Sequence, residues 1–266
     1  NPPNVFTTGT GPIAVAMSPT APFLYTANLT DGDVTGFTVD PGAGGLTFLG
    51  SFALTPPVVP PAPAPHPSAM AISPKGNFLF VASATEGTVA VLAIAGDGKL
   101  TLAGAPVSMG AGSAPSGVTV EPTGRFLYVA DAANNDVLAF SIGTNGALTA
   151  ISGSPFTAGL QPKGLATDPQ GTFLYAANSG SNDVSAYLID PSSGALAAIT
   201  GSPFATGGAG PSAVAVNANS SIVYVTEQGS HDIAAFGIFS QGVLKPVAGS
   251  PFGVATSASA IGLVLR

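Results

Sequence analysis

A tandem repeat constrains this chain more than any other feature. A proline opens each unit, at Pro12, Pro67, Pro115, Pro162 and Pro211, with spacings of 55, 48, 47 and 49 residues. An aromatic residue ends the next apolar triplet, at Tyr25, Phe80, Tyr128, Tyr175 and Tyr224, with the same four spacings. Two markers in one register define five units of about 48 residues. In the third unit, residues 116–120, 126–130, 137–141 and 147–152 are short apolar runs bounded by Gly, Asn, Asp or Pro. Such runs read as strands, and no stretch keeps a helical period.

Four strands per unit predict an all-β fold, a β-propeller of four-stranded antiparallel blades. One domain is expected over 1–266, with units at about 11–65, 66–113, 114–160, 161–209 and 210–256. The long first spacing comes from a proline-rich insertion, residues 55–65, read as an extended solvated loop. Residues 258–265 repeat a first strand, so five complete repeats carry one surplus C-terminal strand. Three placements are open to it: the stub of a sixth blade, packing on the other blades, or pairing with an exposed edge of a neighbouring subunit. The third would make a homo-oligomer or homopolymer through residues 258–265.

Charged residues are only 7% of the chain, against about 25% in an average soluble domain. Solubility must then come from Ser, Thr, Asn and Gly, which suits an extracellular or cell-surface protein. Six Lys and Arg in a chain of net charge −7 form no basic stripe, which argues against nucleic acid. No run of 18 apolar residues predicts a membrane span. Without cysteine there are no disulfides, thiolate metal sites or cysteine nucleophiles. No nucleotide-binding glycine pattern joins a strand to a helix. No cofactor and no metal are expected.

The second strands read Tyr25-Thr26-Ala27-Asn28, Phe80-Val81-Ala82-Ser83, Tyr128-Val129-Ala130-Asp131, Tyr175-Ala176-Ala177-Asn178 and Tyr224-Val225-Thr226-Glu227. They resemble the YVTN repeat of surface-layer-type propellers. The unit is also similar to blades of the seven-bladed, 6-phosphogluconolactonase-like lactonase family, through His66-Pro67 and Ser73-Pro74-Lys75-Gly76-Asn77-Phe78-Leu79-Phe80. The resemblance implies seven blades, where the sequence counts five. It also implies His, Glu and Arg in a central funnel. With two His and two Arg in the chain, no such set can be placed, and no catalytic residue is carried over.

Loops joining strands two and three share a face with the links between blades, and hold eight of the thirteen carboxylates. The end of strand two, at Asn28, Ser83, Asp131, Asn178 and Glu227, is expected to point towards that face. With His66 in a link, Asn28, Asp131, Asn178 and Glu227 are the candidate binding residues. Asp33, Asp136, Asp183 and Asp232 recur before strand three and read as turn devices accepting backbone N–H groups. His66 reads as a link residue bonded to backbone. Ser230-His231-Asp232 is no triad, because adjacent side chains cannot form the relay. Gly-Ser-Pro-Phe at 153–156, 201–204 and 249–252 is expected after strand four, its Phe plugging between blades.

The function expected from these features is a non-enzymatic extracellular or cell-surface module. It would bind a cell-surface or carbohydrate partner, or serve as a structural or self-assembling subunit. The alternative is a lactonase-like hydrolase or isomerase.

Overall fold

The computed structural model describes residues 6–56 and 65–253. Residues 57–64 of the proline-rich insertion and the surplus strand 258–265 lie outside the described residues.

The described residues are all-β, with five antiparallel sheets and one 3-10 turn, Ser240–Gly242. First strands are Pro12–Met17, Pro67–Ile72, Pro115–Val120, Pro162–Thr167 and Pro211–Val216. Second strands are Phe23–Asn28, Phe78–Ser83, Phe126–Asp131, Phe173–Asn178 and Ile222–Glu227. Third strands are Asp33–Val39, Thr88–Ile94, Asp136–Ile142, Asp183–Ile189 and Asp232–Ile238. In every blade the last residue of strand two pairs with the first of strand three, as in Asn178↔Asp183 and Glu227↔Asp232.

Strand four departs from expectation. It is continuous only in blade one, Leu46–Ala53, and elsewhere is two short pieces on strand three, such as Leu196–Ala198 and Phe204–Ala205. The Gly-Ser-Pro-Phe segments therefore interrupt strand four rather than follow it. At the gap the serine replaces a missing ladder acceptor. Ser154, Ser202 and Ser250 Oγ accept the N–H of Ala139, Ala186 and Ala235 at 2.8–2.9 Å. A buried N–H needs such a partner. Phe156 and Phe204 restart the strand and pack, half-buried, against the blade cores.

The chain divides into two compact units, residues 1–120 with 142–148, and 121–141 with 149–266. In the first, Phe23 and Tyr25 of blade one share a core with Leu92 and Leu100 of blade two. In the second, Phe126 and Tyr128 pack with Tyr187 and Leu196 of blade four, and Tyr175 packs with Phe236 and Leu244 of blade five. Alternating strand residues reach both faces of a sheet, so the sheet of blade four is buried from both sides, Leu174 and Tyr187 in one core and Tyr175 and Val184 in the other. First strands crowd: a Cβ on Gly164 would lie 2.7 Å from Ala213 Cα, which requires glycine.

The joint between blades is built from one glycine and one aromatic pair. The turn before strand four carries Gly98, Gly146, Gly194 or Gly242, all at φ between 74° and 84°. Each sits against the Phe that opens strand two of the preceding blade, so that an added Cβ would come within 2.6–2.8 Å of Phe23, Phe78, Phe126 or Phe173. In two joints the tyrosine two residues on donates its hydroxyl to the same glycine's carbonyl: Tyr25 to Gly98 at 2.7 Å and Tyr128 to Gly194 at 2.9 Å.

Candidate functional site

The links entering blades one, four and five pair with the loop joining strands two and three of the same blade. Leu29 N–H donates to Gly11, Ser179 to Gln161 and Gln228 to Gly210, at 2.8–3.0 Å. A loop side chain also holds a link N–H. Asp31 accepts from Thr10 at 2.7 Å, Glu86 from His66 at 3.0 Å, Ser181 from Leu160 at 2.9 Å and Ser230 from Ala209 at 2.8 Å. The link is thereby pinned across the end of strand two.

That placement decides the fate of the candidate column. Asn28, Asp131, Asn178 and Glu227 are at most 1% exposed. They lie beneath the links and loops, not open to the face as the sequence had suggested. Asn28 Nδ2 donates to Asp33 Oδ1 at 2.7 Å and Thr35 Oγ1 at 2.8 Å. Asn178 repeats this with Asp183 at 2.6 Å and Ser185 at 2.9 Å. The recurrent aspartates at 33 and 183 therefore clamp a facing amide, a role different from the backbone acceptors expected. Asp131 Oδ1 accepts from Ala133 and Asn134 N–H, and Oδ2 from the Asn134 amide at 2.9 Å. A bulky neighbour cannot enter here, since a Cβ on Gly159 would lie 2.6 Å from Asn178 Nδ2.

Where the amide is replaced by a carboxyl, two acids face each other. Burial, reinforced by the charge of Asp131, pushes Asp136 up to about 6. Burial also pushes Glu227 up to about 7, the facing Asp232 adding to the shift and the Thr206 hydroxyl opposing it. Two like charges in one buried pair favour retention of a proton. Among the described residues, no hydrogen bond reaches Glu227 Oε2 or Asp136 Oδ1.

His66 is the one sequence candidate that is accessible. Its side chain is 47% exposed and its Nδ1 lies 2.9 Å from Glu86 Oε1, while its own N–H reaches Oε2. The ring's partner is thus a carboxylate, not the backbone group expected. Burial opposes ionisation of Glu86, but its bonds from the His66 backbone and ring hold it below the usual carboxylate range. The repeat acts as an internal control. A side chain clamping the link N–H recurs in other blades and is architecture, whereas the imidazole on the second oxygen occurs only in blade two. Glu86 was visible as a loop acid. Its pairing with His66 was not, because twenty residues separate them and only the link's path over the loop brings them together.

His231 occupies a left-handed turn position, φ 58°, which is Gly32, Gly87, Asn135 or Asn182 in the other blades. Ser230 Oγ donates to Asp232 directly at 2.8 Å. The three residues form a turn, as expected. No group of three or more acidic or histidine side chains suited to a metal occurs among the described residues.

The family described as Lactonase, 7-bladed beta-propeller, matches residues 2–112 and 105–207. Among solved structures, a Bacteroides uniformis protein assigned to the 6-phosphogluconolactonases is 22% identical, with TM-score 0.77, over 91% of this chain and 72% of that one. A Lactobacillus plantarum protein is 22% identical, with TM-score 0.79, over 94% and 73%. The periplasmic gluconolactonase PpgL of Pseudomonas aeruginosa is 24% identical, with TM-score 0.75, over 91% and 70%. At these identities the likeness establishes the fold. A comparison with curated proteins finds no match.

Proposed function

The chain belongs to the lactonase family of seven-bladed β-propellers, and from that premise we propose that it hydrolyses a lactone, of the sugar-acid class named for its structural neighbours. This replaces the expectation of a non-enzymatic binding or structural module, which membership of a lactonase family overturns. Low charge and a surplus strand describe the surface and the ends of a chain, and neither bears on chemistry.

The observation that carries the reading is the exposed His66–Glu86 pair. A carboxylate accepting from Nδ1–H fixes the tautomer that leaves Nε2 free as a base. Nε2 then takes a proton from water as its oxygen attacks the lactone carbonyl. Cleavage of the ring C–O bond follows, and the alkoxide leaving group takes that proton back, giving the open hydroxy acid. Such a base contributes roughly 10²–10⁴-fold in rate.

We also read the five blades as part of a seven-bladed arrangement. The 72% and 73% of the neighbours that the chain covers are close to five parts in seven.

The test is pH-stat hydrolysis of glucono-1,5-lactone and related sugar lactones, corrected for the spontaneous rate. His66→Gln should lower kcat/KM by about 100-fold or more, and Glu86→Gln by a smaller factor with KM little changed. Hydrolysis by the unaltered chain that persists in full in His66→Gln would rule out this base. No hydrolysis of any lactone tried would rule out the activity.

A further inference from the structure

Blades four and five build the same clamp with one group exchanged. In blade four the link glycine, Gly159, lies so close that a Cβ there would stand 2.6 Å from Asn178 Nδ2 and 2.6 Å from Ser181 Oγ. In blade five a Cβ on Gly208 would meet Glu227 Oε2 and, at 2.6 Å, Ser230 Oγ. The two serines hold the N–H of the next link residue, Leu160 and Ala209. Glu227 Oε2 therefore stands where the Asn178 amide nitrogen stands, and an aspartate pairs with each across the ladder. The amide nitrogen donates to Asp183 at 2.6 Å, as that of Asn28 donates to Asp33 at 2.7 Å in blade one. A carboxylate oxygen in that place has nothing to donate. Glu227 is only 1% exposed, and among the described residues no hydrogen bond reaches its Oε2. A buried charge facing a second acid is costly, and one proton on Oε2 restores the missing donor. The rise of Glu227 to about 7 agrees with this. Blade three also faces two acids, but there Asp131 accepts from the N–H groups of Ala133 and Asn134 in its own loop.

We infer that Glu227 carries a proton on Oε2, donates it to Asp232 as the amide of Asn178 donates to Asp183, and so makes the link over blade five a pH-gated latch between the loops of blades four and five. The link, residues 206–210, is tied to both loops. Thr206 Oγ1 lies 2.5 Å from Glu227 Oε1 and 3.1 Å from the Asn182 carbonyl, and the Gly210 N–H reaches Asn182 Oδ1 at 2.8 Å. Gln228 and Gly229 N–H donate to the carbonyls of Gly210 and Ala209 at 2.9 Å. The titratable groups around Glu227 are few. Asp232 faces it, His231 in the turn donates its backbone N–H to the Glu227 carbonyl, and Asp183, which pairs with Ala205 beside Thr206, is engaged by Asn178. The link itself carries none. Once the proton leaves, two carboxylates face each other without a donor, and opening the link lets water reach them. An open link returns Glu227 to about 4, the ordinary value for a glutamate. The closed form therefore loses ground as pH rises from about 4 to about 7 and loses no more above that. The latch is independent of the lactone reading.

Amide hydrogen exchange resolved by residue, from about pH 5 to about pH 8, tests the latch. Gln228 and Gly229 are compared with Ser179 and Gly180, which donate to Gln161 and Leu160 over the amide clamp of blade four. The ratio of the two pairs cancels the intrinsic pH dependence of exchange. Protection of Gln228 and Gly229 should fall at least about tenfold relative to Ser179 and Gly180 across that range. Glu227→Gln should keep the protection and lose the fall, because its donor does not titrate. Asp232→Asn supplies an amide from the other side and should do the same, which keeps the test open if the first variant fails to fold. Both variants retain His231, so any dependence that His231 brings survives in them. Asn178→Asp should transfer the fall to Ser179 and Gly180. A ratio that stays constant with pH, or a fall that persists in full in Glu227→Gln or Asp232→Asn, would overturn the latch.

Discussion

Gly194→Ala and Gly44→Ala, made separately in the 266-residue chain, isolate the energy of one blade joint. Both glycines have positive φ, +74° and +70°. A left-handed alanine costs about 1 kcal/mol at either position. The difference lies in what the new methyl meets. At Gly194 it would stand 2.6 Å from Phe126 Cγ and Cδ1 and 2.8 Å from Ile151 Cδ1, and at Gly44 it meets nothing within 4 Å among the described residues. Phe126 is only 5% exposed, so its ring cannot swing into solvent. Overpacking of this kind costs about 1–3 kcal/mol more. Gly194→Ala should therefore lose about 2–4 kcal/mol and Gly44→Ala about 1 kcal/mol. Urea unfolding followed by tyrosine fluorescence measures both, since the chain has five Tyr and no Trp. Losses equal within about 0.5 kcal/mol would refute the joint as described, because backbone strain alone would then account for both.

Other expectations follow from single contacts. Tyr128→Phe removes a buried bond to the Gly194 carbonyl and should cost about 1–2 kcal/mol, whereas Tyr175→Phe removes a hydroxyl without a partner among the described residues and should cost nothing or stabilise, both read from urea midpoints. Asn178→Ala strips Asp183 and Ser185 of a buried donor and should cost about 2–3 kcal/mol by the same assay; a loss below about 0.5 kcal/mol would deny the clamp its role. For Glu227 the folded form binds its proton more tightly than the unfolded chain. Between about pH 4, where an unfolded glutamate ionises, and about 7, its folded value, the folded state holds the extra proton. Stability should fall across that window as pH rises and level off above it. Glu227→Gln should flatten the slope of Tm against pH, and an unchanged slope would place the titration elsewhere.

Much of the fold is written in local sequence. Strands one to three are runs of six or seven residues between turn formers, and the proline and aromatic markers repeat every 48 residues or so because every blade solves the same packing problem. Even His231 was readable as a turn residue, since its position is glycine or asparagine elsewhere. The broken fourth strand was harder. Gly-Ser-Pro-Phe was visible, but that its serine replaces a ladder acceptor depends on strand three, some fifteen residues away. The candidate column failed differently. Asn28, Asp131, Asn178 and Glu227 alternate correctly along strand two, yet the periodicity of a strand gives only a face. It cannot say that a link from the preceding blade is pinned over that face.

The sequence by itself determined the unit: four strands, their turns, and the tyrosine that marks each copy. Those properties depend on residues near one another in the chain. Tertiary structure alone decided which repeated polar groups are architecture and which pair is accessible, since burial under a link and the meeting of His66 with Glu86 depend on where distant segments cross. It also decided that the turn glycine of blade one, Gly44, meets nothing within 4 Å among the described residues, where Gly194 meets Phe126. The sequence of Gly44 matches its counterparts, and only the space around it tells them apart.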